Sequence, residues 1–541
     1  MKKFLLAAGL CAAVFTAGAQ NPFAYGISAT LPENNQFTEG YAEALPISYT
    51  LNAAATKVTI NFYKDGATTP AKQVELTDTS LLTAGQHTTD VAVADLKSGA
   101  YTWSVTATGA AITAPVEMTN HIQFWSPYGI AIDNDPQSAH FGRVLCGESQ
   151  ATAPATYFSQ QHGGIGLFEF DPQLNFVARY DGGLTMAAFK YPGGTQSQAF
   201  HVKKIRISKD GRVFVGMLDC VNNPIYELDP NDLSKWTPIF QGTQDDTTGI
   251  VADASGNMVA APSAAFDVVG SGADLKIVNL GSKYGQSYSF SNYSCNEYAL
   301  GVNTAWATPI TASTMVTPFD GQYTISAQSV SLAYDQDGNG IWYAQYRGAP
   351  TDAQPAIKHV SRGADGTWTE DYSDITTVVR GGGVAYNKDY TLLAIPKANN
   401  KLGIYKVAAG TAASGAAKKA AALANPTLTE VYTISTTNLR GFNDIAFDYA
   451  GNVYACDNGK ETLVEIQLPR DNNDCEVAAR SAYNFNVTVS TGVDDVTAAK
   501  TVSSVRYYNV SGQESSEPFK GLNIVVTNYT DGSQSSTKVV K

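Results

Sequence analysis

Apolar runs separated by short polar turns recur along the chain, and residues 443–457 are the clearest example. An apolar strand ends at Asp448, a turn carries Gly451 and Asn452, and a second apolar strand ends at Asp457. Two apolar strands joined by an Asp-Gly-type turn are the sequence signature of a β-hairpin. The pattern recurs upstream in five weaker copies, at residues 130–146, 205–215, 250–260, 332–343 and 384–395. Six hairpins in series predict a repeated β architecture.

Further β segments follow the hairpins and complete the predicted repeat. Third strands are expected at residues 167–170, 224–228, 275–278, 357–360, 402–406 and 463–467, and fourth strands at residues 176–180, 236–240, 368–372 and 428–434. Units of four antiparallel strands repeated in a circle are the blades of a β-propeller. We therefore predict an all-β fold with a six-bladed β-propeller over residues 119–483. A long polar loop at residues 282–327 and an Ala-rich insertion at residues 410–425 interrupt it.

The repeats read apolar-Asp-x-x-Gly-Asn-apolar-Tyr-apolar followed by Asp, and residues 443–457 match this best. In this phrasing they resemble the six-bladed NHL-repeat and regucalcin/gluconolactonase-like propellers. Gluconolactonase-like enzymes hold one divalent cation in the channel with Glu, Asn and Asp ligands. The resemblance therefore implies a metal-dependent hydrolase or lactonase as one reading of the function.

The segment ahead of the repeats, residues 20–118, carries its own short β runs. They lie at residues 47–51, 57–63, 73–76, 88–93 and 101–106, with turns at residues 64–66 and 97–99. The run LKSGAYTWSV at residues 96–105 resembles the penultimate hairpin of bacterial immunoglobulin-like and fibronectin-like modules. The resemblance implies an N-terminal β-sandwich that serves as a spacer or docking unit.

The last segment, residues 484–541, is predicted to form a small C-terminal β domain. A linker at residues 491–496 precedes expected strands at residues 502–508, 521–527 and 538–540, with a turn at residues 509–513. The runs VRYYNVSGQ, GLNIVV, DGS and TKV resemble the C-terminal domains of exported Bacteroidetes proteins, many of which are sorting domains read by the type IX secretion system. The resemblance implies the export machinery as a partner. Asn523 stands where an aromatic residue is usual, so a related module that is retained is the alternative.

The N-terminus has the three parts of a secretory signal peptide. Lys2 and Lys3 precede an apolar run over residues 4–15, and Ala17-Gly18-Ala19 follows. We expect residues 1–19 to be removed and the mature protein to reach the outer cell surface or the medium, with the periplasm as the alternative. No other apolar run approaches the roughly 18 residues of a membrane-spanning helix, so no transmembrane segment is expected after cleavage.

The charge balance narrows the class of partner. The 541 residues include 36 Lys plus Arg and 49 Asp plus Glu, a formal net charge of -13. An acidic exported protein is a poor candidate for binding nucleic acid or anionic lipid, because both reward a basic face. We expect an extracellular glycan or protein ligand and no nucleic acid.

Compact catalytic signatures are absent from the sequence, including G-x-S-x-G, H-E-x-x-H, G-x-x-x-x-G-K-[ST] and G-x-G-x-x-G. Residues 335–340 read DQDGNG, the first half of an EF-hand calcium loop, but Tyr346 stands where a bidentate Glu is required. The same residues lie at a hairpin turn. We therefore predict a plain hairpin there, with calcium as the alternative, and assign no cofactor.

Polar residues at strand ends are candidate ligand contacts, because corresponding positions of propeller blades converge on one channel. Our candidate ligand-binding residues are Arg380, Arg440, Asn443, Asp457, Glu148, His201, Lys203 and Arg347. Arg380 and Arg440 occupy equivalent places in two copies, where a pair of guanidinium groups could hold a carboxylate or sulfate. Pairing of these arginines with Glu148 or Asp457 is the alternative. Glu148, Asn443 and Asp457 are also suitable ligands for a divalent cation, but none is assigned a catalytic role.

Three functions stay open at this stage. The leading hypothesis is an exported surface protein whose propeller face binds a glycan, peptide or protein. Aromatic residues of the long polar loop would then serve as stacking platforms, or would simply pack the loop: Tyr284, Tyr288, Tyr293, Tyr298 and Trp306. The alternatives are a hydrolase or lactonase acting in the channel, and a structural envelope protein whose channel is plugged by its own side chains.

Overall fold

Secondary structure in the described part of the chain is nearly all β-strand. The computed structural model describes residues 20–41, 43–118, 121–148, 155–181, 202–217, 225–240, 243–244, 251–252, 258–260, 263–282, 289–290, 293–302, 315–320, 325–326, 330–345, 356–374, 382–397, 401–407, 428–435, 442–457, 459–489 and 501–541. These residues contain one α-helix, Phe158–Gln161, and short 3-10 turns at Glu33–Asn35, Thr79–Leu82, Gly272–Asp274 and Ser481–Tyr483. None of their helices has the length and apolar character needed to cross a membrane.

The chain divides into two compact units. Unit 1 comprises the described residues within 1–30, 45–91 and 102–484, and unit 2 comprises those within 31–44, 92–101 and 485–541. Each unit is described below by itself.

Six antiparallel sheets of unit 1 carry the predicted repeat. Sheet 1 contains Pro127–Ile132, Val144–Glu148, Gly166–Phe170 and Phe176–Tyr180; sheet 2 contains Val202–Ile207, Val213–Met217, Ile225–Asp229 and Asp232–Pro238; sheet 3 contains Ser263–Val269, Lys276–Ser282, Tyr293–Ala299 and Met315–Asp320; sheet 4 contains Val330–Tyr334, Gly340–Gln345, Ile357–Arg362 and Trp368–Asp374; sheet 5 contains Ala385–Tyr386, Leu392–Lys397, Lys401–Val407 and Leu428–Ser435; sheet 6 contains Phe442–Phe447, Val453–Asp457, Thr462–Gln467 and Val116–Glu117. The strands predicted for all of these sheets except sheet 3 are confirmed.

The first strands of the six sheets follow one another in a closed order. The first strand of sheet 1 lies beside those of sheets 2 and 6, that of sheet 3 lies beside those of sheets 2 and 4, and that of sheet 5 lies beside those of sheets 4 and 6. Close approach of sheets 1 and 2 requires glycine at position 147, where a Cβ atom would lie 2.6 Å from the carbonyl oxygen of Val202. Flanked in this way, the first strand of sheet 1 is buried along its whole length.

Sheet 6 is completed by residues that precede sheet 1. Glu117 pairs with Ile466, and Gln123 in the short strand Ile122–Gln123 pairs with Thr462 at the other end of the same strand. The outer strands of sheet 6 therefore come from residues that precede sheet 1 in the chain. The pairing of residues 116–117 with sheet 6 crosses the predicted domain boundary between residues 118 and 119.

Apolar side chains fill the space between neighbouring sheets. Between sheets 6 and 1, Cys146, Phe168, Tyr454 and Cys456 share one buried cluster, with the Cys146 and Cys456 sulfur atoms 3.9 Å apart. Each fully buried side chain of this kind stabilises the fold by about 1.5 to 3 kcal/mol. Alternating Val, Ile, Leu and Phe in the strands therefore holds adjacent sheets face to face.

The third predicted hairpin does not begin a four-stranded sheet. Residues Val251–Ala252 and Met258–Ala260 do pair, but they belong to a separate small sheet with Thr243–Gln244. Sheet 3 starts later, at Ser263, and the predicted third strand at 275–278 lies in its second strand. The prediction was wrong because the segment after residue 260 has no Asp-Gly turn and still forms the longer strands.

The predicted long loop at 282–327 was also wrong. It contains the third and fourth strands of sheet 3, and a further small pairing of Ser289–Phe290 with Ile325–Ser326. Cys295 and Tyr298 of this segment are fully buried, and the Tyr298 ring packs on Phe240 with 5.1 Å between ring centroids. Because this segment is rich in polar and aromatic residues, its sequence does not show the alternation of apolar and polar positions that predicts a strand. The Ala-rich insertion lies outside the described residues.

The predicted N-terminal strands are confirmed. One sheet of the N-terminal region contains Ala24–Ala29, Ala44–Leu51 and Gly85–Ala92, and another contains Lys57–Lys64, Lys72–Glu75 and Gly99–Thr108. Strand Asp474–Ala478 pairs with residues 104–108, so residues that follow the repeats complete this sheet. Trp103 is buried, and its Nε1 donates a hydrogen bond to the Tyr483 carbonyl oxygen at 2.9 Å.

Unit 2 contains two groups of strands. Gln36–Thr38 lies parallel to Phe485–Thr488, which also pairs with residues 99–101. The rings of Tyr101 and Phe485 stack with centroids 5.4 Å apart. The tail forms a sheet with the strand order Glu514–Ser515, Val502–Tyr508, Leu522–Tyr529 and Gln534–Val540. In it, Asn523 is buried and its side chain binds main-chain groups of Phe519.

Candidate functional site

Buried charged side chains meet where the first strands of the six sheets come together. Lys204 and Arg206 come from sheet 2, Asp267 from sheet 3, Ser331 from sheet 4 and Asp444 from sheet 6. Lys204 Nζ donates to Ser331 Oγ at 2.7 Å and lies 3.2 Å from Asp444 Oδ1. Arg206 donates through Nη1 to Asp444 Oδ2 at 2.9 Å and through Nε to Asp267 Oδ1 at 3.1 Å. We call these five residues the ring-centre network.

Main-chain groups complete the ring-centre network. The Asp444 carboxylate also accepts a hydrogen bond from the Ile130 main-chain nitrogen at 3.2 Å, which adds sheet 1. Asp267 accepts one from the Tyr334 main-chain nitrogen at 2.7 Å, and Lys204 donates to the Asn443 carbonyl oxygen at 2.8 Å. The network therefore links sheets 1, 2, 3, 4 and 6.

The pKa shifts in the ring-centre network follow from burial and pairing. Burial favours the neutral form of Asp444, but the nearby Arg206 and Lys204 cations outweigh it and hold the pKa of this carboxyl below its usual value. Burial lowers the pKa of Lys204 to about 8 in spite of the Asp444 charge. Burial also raises the pKa of Asp267 to about 6, although Arg206 and the main-chain hydrogen bonds from Tyr334 and Val268 oppose this shift. The charges satisfy one another, so this arrangement suits holding strands together.

Glu148, one of the predicted ligand residues, organises the entry to sheet 1. It is fully buried at the end of the second strand, and its carboxylate accepts hydrogen bonds from the main-chain nitrogens of Trp125 at 2.9 Å and Ser126 at 3.0 Å. The Ser159 hydroxyl, in the short helix, donates to it at 3.2 Å. It lies at the end of a second strand, as predicted, and its hydrogen-bond donors include main-chain and hydroxyl groups.

Three other predicted ligand residues lie nearby. Asn443 Nδ2 donates to the Pro127 carbonyl oxygen at 2.9 Å, directly after the segment that Glu148 holds. Asp457 Oδ1 accepts hydrogen bonds from the main-chain nitrogens of Gly459 at 2.9 Å and Lys460 at 3.1 Å, which closes a turn. Lys203 places its ammonium group 3.3 Å from the centroid of the Tyr128 ring. Asn443 and Glu148 thus meet around one short segment of chain.

The remaining predicted contacts are not among the described residues. These are Arg347, Arg380, Arg440 and His201, together with Tyr284, Tyr288 and Trp306. Asn443 is in the predicted set, and its carbonyl oxygen accepts a hydrogen bond from Lys204. The predicted ligand residues did not include Lys204, Arg206, Asp267 or Asp444. Their signal was present in the sequence as charged residues inside otherwise apolar first strands, in the runs VKKIRI and FNDIAF.

The residues of the half calcium loop form a hairpin turn. The Asp335 carboxylate lies 3.0 Å from His359 Nε2 and accepts a hydrogen bond from the Tyr386 hydroxyl at 2.7 Å. Asp337 accepts one from the Asn339 main-chain nitrogen at 2.9 Å. Across the described part of the chain, no group of three or more His, Cys, Asp or Glu side chains is arranged to hold a metal ion.

A cleft of about 430 Å³ opens at the turn ends of sheets 5 and 6. Its walls include the rings of Tyr432 and Tyr449, and Asp448 and Arg470 lie in its lining. Lys388 Nζ lies 4.2 Å from the centroid of the Tyr449 ring. This volume falls within the usual range for small-molecule sites, roughly 300 to 1,000 Å³. We call this feature the tyrosine cleft.

Two of the three cationic side chains that line the tyrosine cleft form ion pairs. Lys388 Nζ lies 2.8 Å from Asp389 Oδ1, and Lys406 Nζ lies 2.6 Å from Asp471 Oδ2. Arg470 Nη2 donates to the Asp474 carbonyl oxygen at 2.7 Å. The cleft therefore combines two tyrosines with many hydrogen-bonding groups, and its lining has five acidic and three cationic side chains.

Comparison with known proteins gives matches to solved structures. No protein-family model and no curated protein sequence matches the chain. The solved structures it resembles include the β-propeller domain of Myceliophteria thermophila Cps50 (Swd1), at 9% identity and a TM-score of 0.32, over 79% of this chain and 100% of that one. They also include U3-55K, at 9% identity and a TM-score of 0.35, over 66% and 100% of the two chains. A chain of the Mitotic Checkpoint Complex matches at 11% identity and a TM-score of 0.32, over 67% and 94%.

Proposed function

We propose that this chain is an exported binding protein built on a six-bladed β-propeller and that the tyrosine cleft binds a glycan. Six sheets whose first strands follow one another in closed order, with the last sheet completed by Val116–Glu117, support the propeller. In a propeller the first strands surround the central axis. The ring-centre network would then fill that axis, which favours a binding site elsewhere on the molecule.

The lining of the tyrosine cleft is the observation that carries the choice of ligand. Sugars present apolar faces that stack on aromatic rings and hydroxyl groups that exchange hydrogen bonds with polar side chains. Tyr432 and Tyr449 supply the rings, and both are partly exposed. The lysine charges are neutralised by Asp389 and Asp471, so a neutral polyhydroxylated ligand fits better than an acidic peptide.

Glycan arrays followed by calorimetry would test this proposal. We expect the wild-type protein to capture at least one oligosaccharide, and Tyr432→Ala to weaken its binding by about tenfold, since a lost stacking contact costs about 1 to 2 kcal/mol. Tyr508→Ala is a matched control, because Tyr508 is a partly exposed tyrosine of the tail sheet whose hydroxyl donates to Glu514 at 2.8 Å. Failure to bind any glycan, or equal losses in the two variants, would reject the glycan site.

We further propose export to the cell surface with the tail sheet read by the export machinery. The basic and apolar N-terminus and the runs in residues 505–540 support this. Two chains would be expressed in a bacterium that has a type IX secretion system: the full chain, and a chain that ends before residue 490. The full chain should appear at the surface or in the medium and the shortened chain should stay inside. Equal distribution of the two would contradict a sorting role for the tail.

A further inference from the structure

The first described residues of unit 1 are buried in a polar environment. Gln20 and Asn21 are 4% and 3% exposed. The Asn21 main-chain nitrogen donates to Asn452 Oδ1 at 2.8 Å, and its side chain donates to the Leu468 carbonyl oxygen at 2.9 Å. These contacts fix the start of the described chain to sheet 6 and the turn before its second strand.

The Gln20 side chain is held from both ends. Its Oε1 accepts a hydrogen bond from Asn52 Nδ2 at 2.9 Å, and its Nε2 donates to the carboxylate of Glu465. Within the described part of the chain, the main-chain nitrogen of Gln20 forms no hydrogen bond. Among the described residues, this enclosed nitrogen therefore has no hydrogen-bond acceptor.

Glu465 lies beside Gln20, and the described residues supply it with no counter-ion. It lies in the third strand of sheet 6, is 1% exposed, and its Oε1 has no hydrogen-bond partner among the described residues. Burial raises the pKa of Glu465 well above its usual value, and the nearby Asp448 carboxylate adds to the effect. A buried carboxylate without a cation is costly, so a positive charge placed beside it would be stabilised.

The sequence supplies a route to such a charge. Ala17-Gly18-Ala19 ends the expected signal peptide directly before Gln20. A peptidase of the export pathway would add water across the Ala19–Gln20 amide. The leader would depart with the new carboxylate of Ala19, and the nitrogen of Gln20 would take up protons to become an α-ammonium group.

We propose that Gln20 is the mature N-terminus and that its α-ammonium group is the counter-ion of Glu465. This inference depends on the proposed export. In the precursor the same nitrogen is an uncharged amide and offers Glu465 no charge. Removal of the leader therefore strengthens the attachment of the N-terminus to sheet 6, and the processed protein is more stable than the precursor.

Thermal melting at pH 7 of four purified full-length mature chains would test this proposal. Two begin at Gln20 and two carry a Gly-Ser extension ahead of Gln20, and each form is made with Glu465 and with Glu465→Gln. With Glu465 present, the extension should lower Tm by about 3 to 6 °C. With Glu465→Gln, the extension should leave Tm nearly unchanged, because no buried carboxylate remains to pair. Glu514→Gln, an exposed control in the tail sheet, should retain the full sensitivity to the extension.

Three results would overturn the proposal. The extension could have no effect on Tm, or it could have the same effect with Glu465→Gln. Alternatively, intact-mass measurement of the exported protein could show a first residue other than Gln20, or a Gln20 that has lost ammonia by cyclisation and has no free amine. Loss of glycan binding has no bearing on these readouts, so failure of the glycan proposal and failure of this one are distinguishable.

Discussion

Asp444 and Asp448 belong to the same hairpin and are equally buried, yet their surroundings give them opposite electrostatic character. Asp444 faces Arg206 and Lys204, and its pKa lies below the usual value although burial acts against this. Asp448 faces the Asn452 side chain and main chain, and burial raises its pKa to about 7. Burial alone therefore does not decide the charge state, because a buried carboxylate stays ionised only where cations accompany it.

The same contrast separates two parts of unit 1. At the ring centre, carboxylates and cations are matched, and the strands of several sheets are tied together. Near the N-terminus, Asp448 and Glu465 are buried with amide and hydroxyl partners, and burial raises the pKa of both groups. The paired charges of the ring-centre network stabilise contacts between strands. The carboxyl groups of Asp448 and Glu465 could instead be stabilised by a positive charge formed after synthesis, such as the proposed α-ammonium group of Gln20.

The largest expected effect is that of Asp444→Asn. This change leaves Lys204 buried without a carboxylate partner and Arg206 with Asp267 alone. Breaking a buried pair from one side destabilises a protein by about 3 to 5 kcal/mol. Urea unfolding at pH 7 should show this loss. A loss below about 1 kcal/mol would mean that the ring centre is solvated and that its pairs contribute little.

An intermediate effect is expected for Asp448→Asn, and it should depend on pH. The folded-state pKa of Asp448 is about 7 and its ordinary value is 3.8, so the unfolded chain releases this proton first. Between about pH 4 and 7 this group therefore reduces stability as pH rises, by up to about 1.4 kcal/mol per pH unit. The variant lacks this contribution.

Melting of both proteins between pH 4 and 8 would measure the difference. The loss of the Asn452 Nδ2 hydrogen bond should make the variant less stable than the wild type near pH 4. Between pH 4 and 7 the stability of the wild type should fall more steeply, so the difference between the two proteins should shrink or reverse as pH rises. Parallel curves would contradict the raised pKa of Asp448.

The smallest effect is expected for Lys406→Ala. Lys406 pairs with Asp471 at 2.6 Å, but the two side chains are 55% and 87% exposed. Solvent-exposed pairs of this kind contribute about 0 to 1 kcal/mol. The midpoint of urea unfolding should therefore stay within experimental error of the wild-type value, and a clear shift would mean that the lysine is important for the packing of the tyrosine cleft.

Most strands were predictable because their signal is local. The hairpins at 205–215 and 445–455, for example, carry alternating apolar residues and a turn with Gly211 or Gly451, both of which have positive φ values. Sheet 3 was not predicted because Tyr293–Ala299 and Met315–Asp320 lack such turns, and Tyr293–Ala299 is rich in polar residues. The pairing of residues 116–117 with sheet 6, and of residues 474–478 with residues 104–108, was not predicted. Pairing between distant segments has no signature in the local sequence.

The site was less predictable than the fold. Strand-end positions brought Glu148 and Asn443 into the predicted set, and their side chains bind main-chain groups of Trp125 and Pro127, two residues apart. The partners of Asp444 could not be read from the sequence, since Lys204 and Arg206 lie more than two hundred residues away along the chain. The tyrosine cleft depends in the same way on turns from sheets 5 and 6 meeting in space.

A double-mutant cycle on Arg206 and Asp444 would test the central claim most directly. Unfolding free energies would be measured for the wild type, Arg206→Met, Asp444→Asn and the double variant. If paired charges lock the ring centre, the double variant should be less destabilised than the sum of the single changes, with a coupling of about 2 to 3 kcal/mol. Additive losses, within about 0.5 kcal/mol, would contradict the account, because the two charges would then act independently.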